Sequence, residues 1–142
     1  MKVLFQKIAE NAIIPTYAHS GDAGMDICSC EHASLKPGER KLIKTGFKMQ
    51  LPPQTEAQIR PRSGLAINHG ISLLNTPGTI DEGYRGELGI IMINLGDSHF
   101  LIEPGMRIAQ MVIAPVLKVK VAEVGELSET TRGEGGFGST GV

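Results

Sequence analysis

The chain has 142 residues, with 14 Lys+Arg against 15 Asp+Glu and a formal net charge of -1. That length suits one domain with a core large enough to need no disulfide or metal staples. The charge balance argues against stable binding to nucleic-acid backbone or an acidic membrane surface; any polyanion it binds should be small and met by a few placed arginines.

Met1 leads straight into a strand-like segment, Val3 to Ile8, so neither a signal nor a transit peptide is expected, and no apolar run reaches membrane-spanning length. Ala18 to Ala23 reads as a loop, and Gly24 to Cys30 resumes extended character. Cys28 and Cys30 would share a strand face, where a disulfide is strained, and His19, His32, His69 and His99 are scattered without ligand spacing. Reduced thiols in a cytoplasmic protein are the expectation.

Leu35-Lys-Pro-Gly-Glu39 has Pro and Gly in the order of a type II turn. Phe47, Met49 and Leu51 then alternate with Gly46, Lys48 and Gln50, and Thr55 to Arg60 alternates again with Ala57 and Ile59 inward. Ser63 to Gly70 is the one helix expected, capped by Ser63 and closed by a left-handed Gly70. Leu88 to Leu95 and Ile108 to Val116 are buried runs, Phe100 to Ile102 is short, and Val119 and Val121 alternate with lysines in a last strand. No helical period is sustained and turn signals recur throughout, so the fold class is all-β: a sandwich, jelly roll or small barrel with one short helix. Residues 1–127 form the domain; residues 128–142 form a glycine-rich tail without a core pattern, mobile unless a ligand or partner orders it.

Two strings match known motifs and fail on context. Gly133-x-Gly135-x-x-Gly138 lacks the strand and helix that a dinucleotide fingerprint requires, and Lys44-Thr45-Gly46 lacks its Ser-x-x-Lys partner. Asn75 to Gly86 carries more signal. It sets Asp81 and Tyr84 among Gly78, Gly83 and Gly86, more glycine than a hairpin needs, which suggests a backbone open to close approach. Asp81 there can hold a water and Tyr84 can pack against a sugar. Arg62, Ser63 and the amides of Gly64 and Leu65 make a phosphate site at the helix start; a surface arginine beside an ordinary cap is the duller reading. Gln110 amid apolar neighbours is either a structural amide or a ligand contact. Asp26 is either a turn residue or an acid that helps hold a hydrated metal ion. The tail's Arg132, Phe137, Ser139 and Thr140 fit a nucleotide clamp as well as they fit disorder.

Taken together, these segments resemble the trimeric dUTP diphosphatase (dUTPase) family through five ordered motifs. They are Ala23-Gly-Met-Asp26, Pro61-Arg-Ser-Gly-Leu-Ala66, Gly78-Thr-Ile-Asp-Glu-Gly-Tyr-Arg-Gly86, Arg107-Ile-Ala-Gln110 and Arg132-Gly-Glu-Gly-Gly-Phe-Gly-Ser-Thr-Gly141. The resemblance implies a β jelly-roll homotrimer with shared active sites. Asp26, Arg62, Ser63 and Gln110 would come from one subunit, the Asp81–Tyr84 hairpin from a second and the tail from a third. It implies that Asp81 deprotonates the attacking water, and that Asn75 with the backbone of Gly78 and Ile80 reads uracil. Tyr84 would pack on deoxyribose, and Arg62, Ser63, Gly64 and Gln110 would hold phosphates. Asp26 would contribute through metal-bound water, with Mg²⁺ as cofactor. Phe137 would cover the base, while Arg132, Gly138, Ser139 and Thr140 clamp the phosphate chain. The implied reaction converts dUTP to dUMP and pyrophosphate, keeping uracil out of DNA and supplying dUMP for thymidylate synthesis. A dCTP deaminase of the same fold and a non-catalytic nucleotide-binding module are the alternatives.

Overall fold

A computed structural model describes residues 1–142. Ten strands and one helix follow in the order β1 (Leu4–Lys7), β2 (Met25–Cys28), β3 (Ala33–Leu35), β4 (Arg40–Gln50), β5 (Thr55–Arg60), α1 (Ser63–His69), β6 (Ile71–Leu73), β7 (Gly78–Ile80), β8 (Glu87–Asn94), β9 (Phe100–Ile102) and β10 (Arg107–Pro115). They form two four-stranded sheets, β1-β4-β8-β6 and β2-β10-β5-β7, and a β3-β9 pair, all antiparallel. The expected all-β jelly-roll-like architecture with one short helix is present, as open sheets rather than a closed barrel.

Period-two patterning explains most of these elements. Leu88, Ile90, Met92 and Asn94 turn inward along β8 while Gly89, Ile91 and Ile93 lie outward. Only one face of this strand is buried; the other, although apolar at Ile91 and Ile93, is half-covered, so β8 is not the fully buried run its composition suggests. Thr55, Ala57 and Ile59 do the same on β5. A single core joins the sheets through Phe47, Ile90, Ile27 and Met111, each no more than 1% exposed. Buried polar groups are satisfied, as burial demands. Asn94 donates to the carbonyls of Leu35 (3.0 Å) and Ser98 (2.8 Å) and accepts from Gly96 N (2.9 Å). The turn at Leu35–Glu39 has the expected form, with Gly38 at φ 80° and Glu39 N donating to Lys36 O.

Three further expectations need correction. No strand forms at Val119 and Val121; the last strand ends at Pro115, and both valines are exposed. Their alternation leaves one apolar side to cover, and no strand of this chain lies against it. Ser63 does not cap α1 either. The cap position falls on Arg62, with extended φ −94° and ψ 130° and no side-chain cap bond. Ser63 is thus the first helical residue, and its hydroxyl is left for other partners. Gly70 does close the helix in the left-handed region, φ 66°, its N–H reaching Ala66 O. Finally, Asn75 to Gly86 is not a hairpin between paired strands. Preceded by the cis Thr76–Pro77 bond, β7 joins β5 in one sheet, whereas β8 joins β4 and β6 in the other. The stretch carries the chain from sheet to sheet, and Asp81 and Tyr84 sit on that crossover.

Candidate active site

The candidate phosphate-site residues converge where β2, β10 and β5 lie side by side. Cross-strand register sets Asp26, Gln110 and Arg60 in one row. Pro61 follows β5 directly, and α1 starts at Ser63, so the row leads into the helix amides. Asp26, Arg62, Ser63, Gly64 and Gln110 line one cleft of about 470 Å³. Gln110 donates from Nε2 to Pro61 O at 2.9 Å, pinning the start of the helix loop. Its Oε1 lies against Gly24, where an added Cβ would approach to 2.5 Å. Gln110 therefore makes a structural bond through one Nε2 hydrogen and keeps the other as a donor beside the cleft.

Asp26 lies between two arginines. Arg62 Nε is 3.3 Å from Oδ1 and Arg107 Nε is 3.3 Å from Oδ2. Arg62 also donates from Nη1 to Arg107 O at 3.3 Å. Behind them, burial pushes the Cys28 thiol up, with Arg107 opposing the shift, Asp26 adding to it and Arg62 opposing it. Sequence reasoning placed Arg107 in a motif without assigning it a role. The available signal was Ile108-Ala109, two adjacent buried residues that break period two just before Gln110.

Asp81 and Tyr84 line a different cleft, of about 400 Å³, together with Thr79 and Ile80. The two clefts share no lining residue. The crossover is held by its own bonds: Tyr84 N donates to Asp81 O (3.1 Å), Tyr84 OH to Glu87 O (2.9 Å) and Arg85 Nη1 to Glu82 O (2.8 Å). Its glycines have partly internal reasons. A Cβ on Gly86 would collide with the Tyr84 ring and hydroxyl, and one on Gly78 would press on Asn75 Nδ2 at 3.3 Å, while Gly83 faces open space. The close approach at Gly86 is thus made by the chain's own tyrosine.

The structure does not bring the tail to either cleft. Residues 128–142 are exposed, with Phe137 fully so, and their hydrogen bonds stay among themselves, as in Arg132 Nε to Gly135 O at 3.0 Å. A single chain therefore presents Arg62 with Gln110, Asp81 with Tyr84, and Arg132 with Phe137, Gly138, Ser139 and Thr140 as three separate groups.

This division can be set beside known proteins. A family model described as dUTPase matches residues 10–141. The chain belongs to the dUTPase family. Among its relatives, the deoxyuridine 5'-triphosphate nucleotidohydrolase of Clostridium novyi is 70% identical over 142 residues, 100% of each chain. The dUTPase of Staphylococcus bacteriophage 80alpha, solved with dUPNHPP, is similar at a TM-score of 0.93 and 32% identity, with 99% of each chain covered. A mutant dUTPase from phage phi11 of S. aureus, whose structure concerns the coordination of a structural Mg(II) ion, is similar at a TM-score of 0.84 and 27% identity. That likeness covers 91% of this chain and 100% of the phage one. No helix of this dUTPase-family chain is long and apolar enough to cross a membrane.

Proposed function

We propose that this protein hydrolyses dUTP to dUMP and pyrophosphate by water attack at the α-phosphorus. The carrying observation is the identity of 70% along the full length of the Clostridium novyi dUTP nucleotidohydrolase. The separation of the Asp81 cleft from the Arg62 cleft favours a shared site, in which the crossover of one subunit completes the phosphate cleft of another within a homotrimer. The tail, residues 128–142, closes that site from a third subunit. Its lack of bonds to its own domain supports this reading.

In this reading Asp81 accepts the proton of the attacking water, and Arg62, the α1 amides at Ser63 and Gly64, and Gln110 meet the phosphate oxygens as charge builds there. Asn75, beside Gly78, with the backbone of Gly78 and Ile80, reads the uracil edge. Tyr84 packs on deoxyribose where a ribose hydroxyl would clash. Phe137 covers the base, and Arg132, Gly138, Ser139 and Thr140 close on the phosphates. Asp26 fits Mg²⁺ through water: it is a single carboxylate with acceptor capacity beyond its two arginines, and no group of three acidic, His or Cys side chains forms a protein cage. Bound, the ion would neutralise charge on the phosphate oxygens. In the cell this activity keeps uracil out of DNA and supplies dUMP for thymidylate synthesis, from a cytoplasmic enzyme.

Pyrophosphate release measured across dUTP, dTTP, dCTP and UTP tests reaction and specificity together. Preference for dUTP is expected. Ammonia release from dCTP would turn the assignment to a deaminase, and binding without turnover to a nucleotide-binding module.

A further inference from the structure

Arg107 reaches Asp26 because of a defect in the sheet. Three positions apart on a regular strand, Arg107 and Gln110 would point to opposite faces. The register of β10 on β2 shifts between Arg107 and Ala109, so Arg107 pairs with Cys28 while Gln110 pairs with Asp26. Asp26 and Cys28 are two apart and share a face, and the bulge therefore puts Arg107 on the same face as Gln110. Ile108 and Ala109 both turn into the core as a result, at 1% and 0% exposure. Bulges of this kind re-aim side chains beside functional sites.

The re-aimed arginine acts on Arg62 through Asp26. Without Asp26 the two guanidinium groups would repel each other across a short gap. With it, Arg62 is fixed at two points, Nε on Asp26 and Nη1 on the Arg107 carbonyl. A guanidinium has five N–H donors, so three remain for a phosphate. Stability is a weak reason for the arrangement: the Asp26 side chain is 23% exposed, but its partners are at the surface, Arg107 60% and Arg62 34% exposed, and such pairs contribute little. We propose that Arg107 is a positioning residue which, through Asp26, orients the Arg62 guanidinium toward the substrate's phosphates, and that Asp26 serves the site as this bridge.

The inference rests on the dUTP reading for its ligand, and it is tested by binding rather than turnover. Equilibrium binding of dUpNHpp to the full-length protein is measured in EDTA and again with Mg²⁺, for Asp26→Asn, Arg107→Ala, Arg107→Lys and the Asp26→Asn/Arg107→Ala pair. Loss of a charge-assisted contact is expected to weaken metal-free binding about tenfold in each single exchange. The pair should be no worse than either alone, Arg107→Lys should recover most of the loss, and unfolding midpoints should stay near wild type. Losses that add in the pair, or an Asp26→Asn defect seen only with Mg²⁺, overturn the proposal. Should Arg107→Ala fail to fold, Arg107→Gln carries the same expectation, and its binding as wild type overturns it equally. A wild-type chain that binds inorganic triphosphate but not dUpNHpp would sink the dUTP reading alone, and the same variants are then compared with inorganic triphosphate.

Discussion

The phenol of Tyr84 fills the place a Cβ on Gly86 would take, and its hydroxyl donates to Glu87 O at 2.9 Å. The glycine's lack of a side chain is what lets the ring fold back at the start of β8. Gly86→Ala should displace the ring while leaving both sheets intact. If Tyr84 excludes ribose, discrimination between dUTP and UTP should fall by about tenfold or more, as loss of a packed contact allows. Parallel kcat/KM measurements on the two nucleotides check this; unchanged discrimination would remove Tyr84 as the sugar gate.

Asp81→Asn preserves the shape of the crossover, because Asp81 contributes its carbonyl, not its carboxylate, to the bond with Tyr84 N. Binding of dUpNHpp should survive. Turnover should drop by roughly a hundred to ten thousand-fold, the range a general base commands. Near-normal hydrolysis in a steady-state assay would show that another group takes the proton.

Ending the chain at Leu127 removes only residues whose hydrogen bonds stay within the tail. The truncated protein should keep the unfolding midpoint and oligomeric state of the full chain, read by calorimetry and light scattering. Hydrolysis of dUTP should be crippled. Full activity after truncation would show that Phe137 and its neighbours do not close the site.

Cys28 and Cys30 predict an alkaline weakness. Burial raises both thiols above their ordinary 9.0; Glu87 and Glu31 add to the effect at Cys30, and Arg107 opposes it at Cys28. The unfolded thiols lose protons first as pH rises, so this contribution to stability is complete below about pH 9 and is lost as pH climbs through the folded values. Unfolding midpoints recorded from neutral pH upward should decline less for Cys28→Ala/Cys30→Ala than for wild type. Parallel curves would show that the alkaline loss has another source.

Much of this molecule was legible in its residues. Alternation marked Ala57, Ile59, Met49 and Phe47 as core positions, and Pro37-Gly38 and Gly70 marked a turn and a helix end, because these signals depend on one to a few neighbouring residues. The short β3, β6 and β7 leave no such signal. Three residues carry little pattern; β6 and β7 pair on the edges of the longer β8 and β5, and β3 pairs with the equally short β9. The Val119–Val121 alternation failed for the opposite reason: a strand-like pattern formed no strand without a partner within the chain.

The candidate site divides in the same way. Residue types and their spacing already carry the chemical inventory: an acid near a tyrosine, an arginine before a helix start, an amide on an apolar strand and a glycine-rich tail, in five ordered motifs that mark the family. Residue type and spacing suffice for that, since charge, donors and backbone freedom are local properties. The fold alone assigned Asp81 and Arg62 to different clefts of one chain, because that depends on which sheet each flanking strand joins. It also decided that Arg107 meets Asp26, since the side of a strand on which a residue emerges depends on register, and one bulge reverses it.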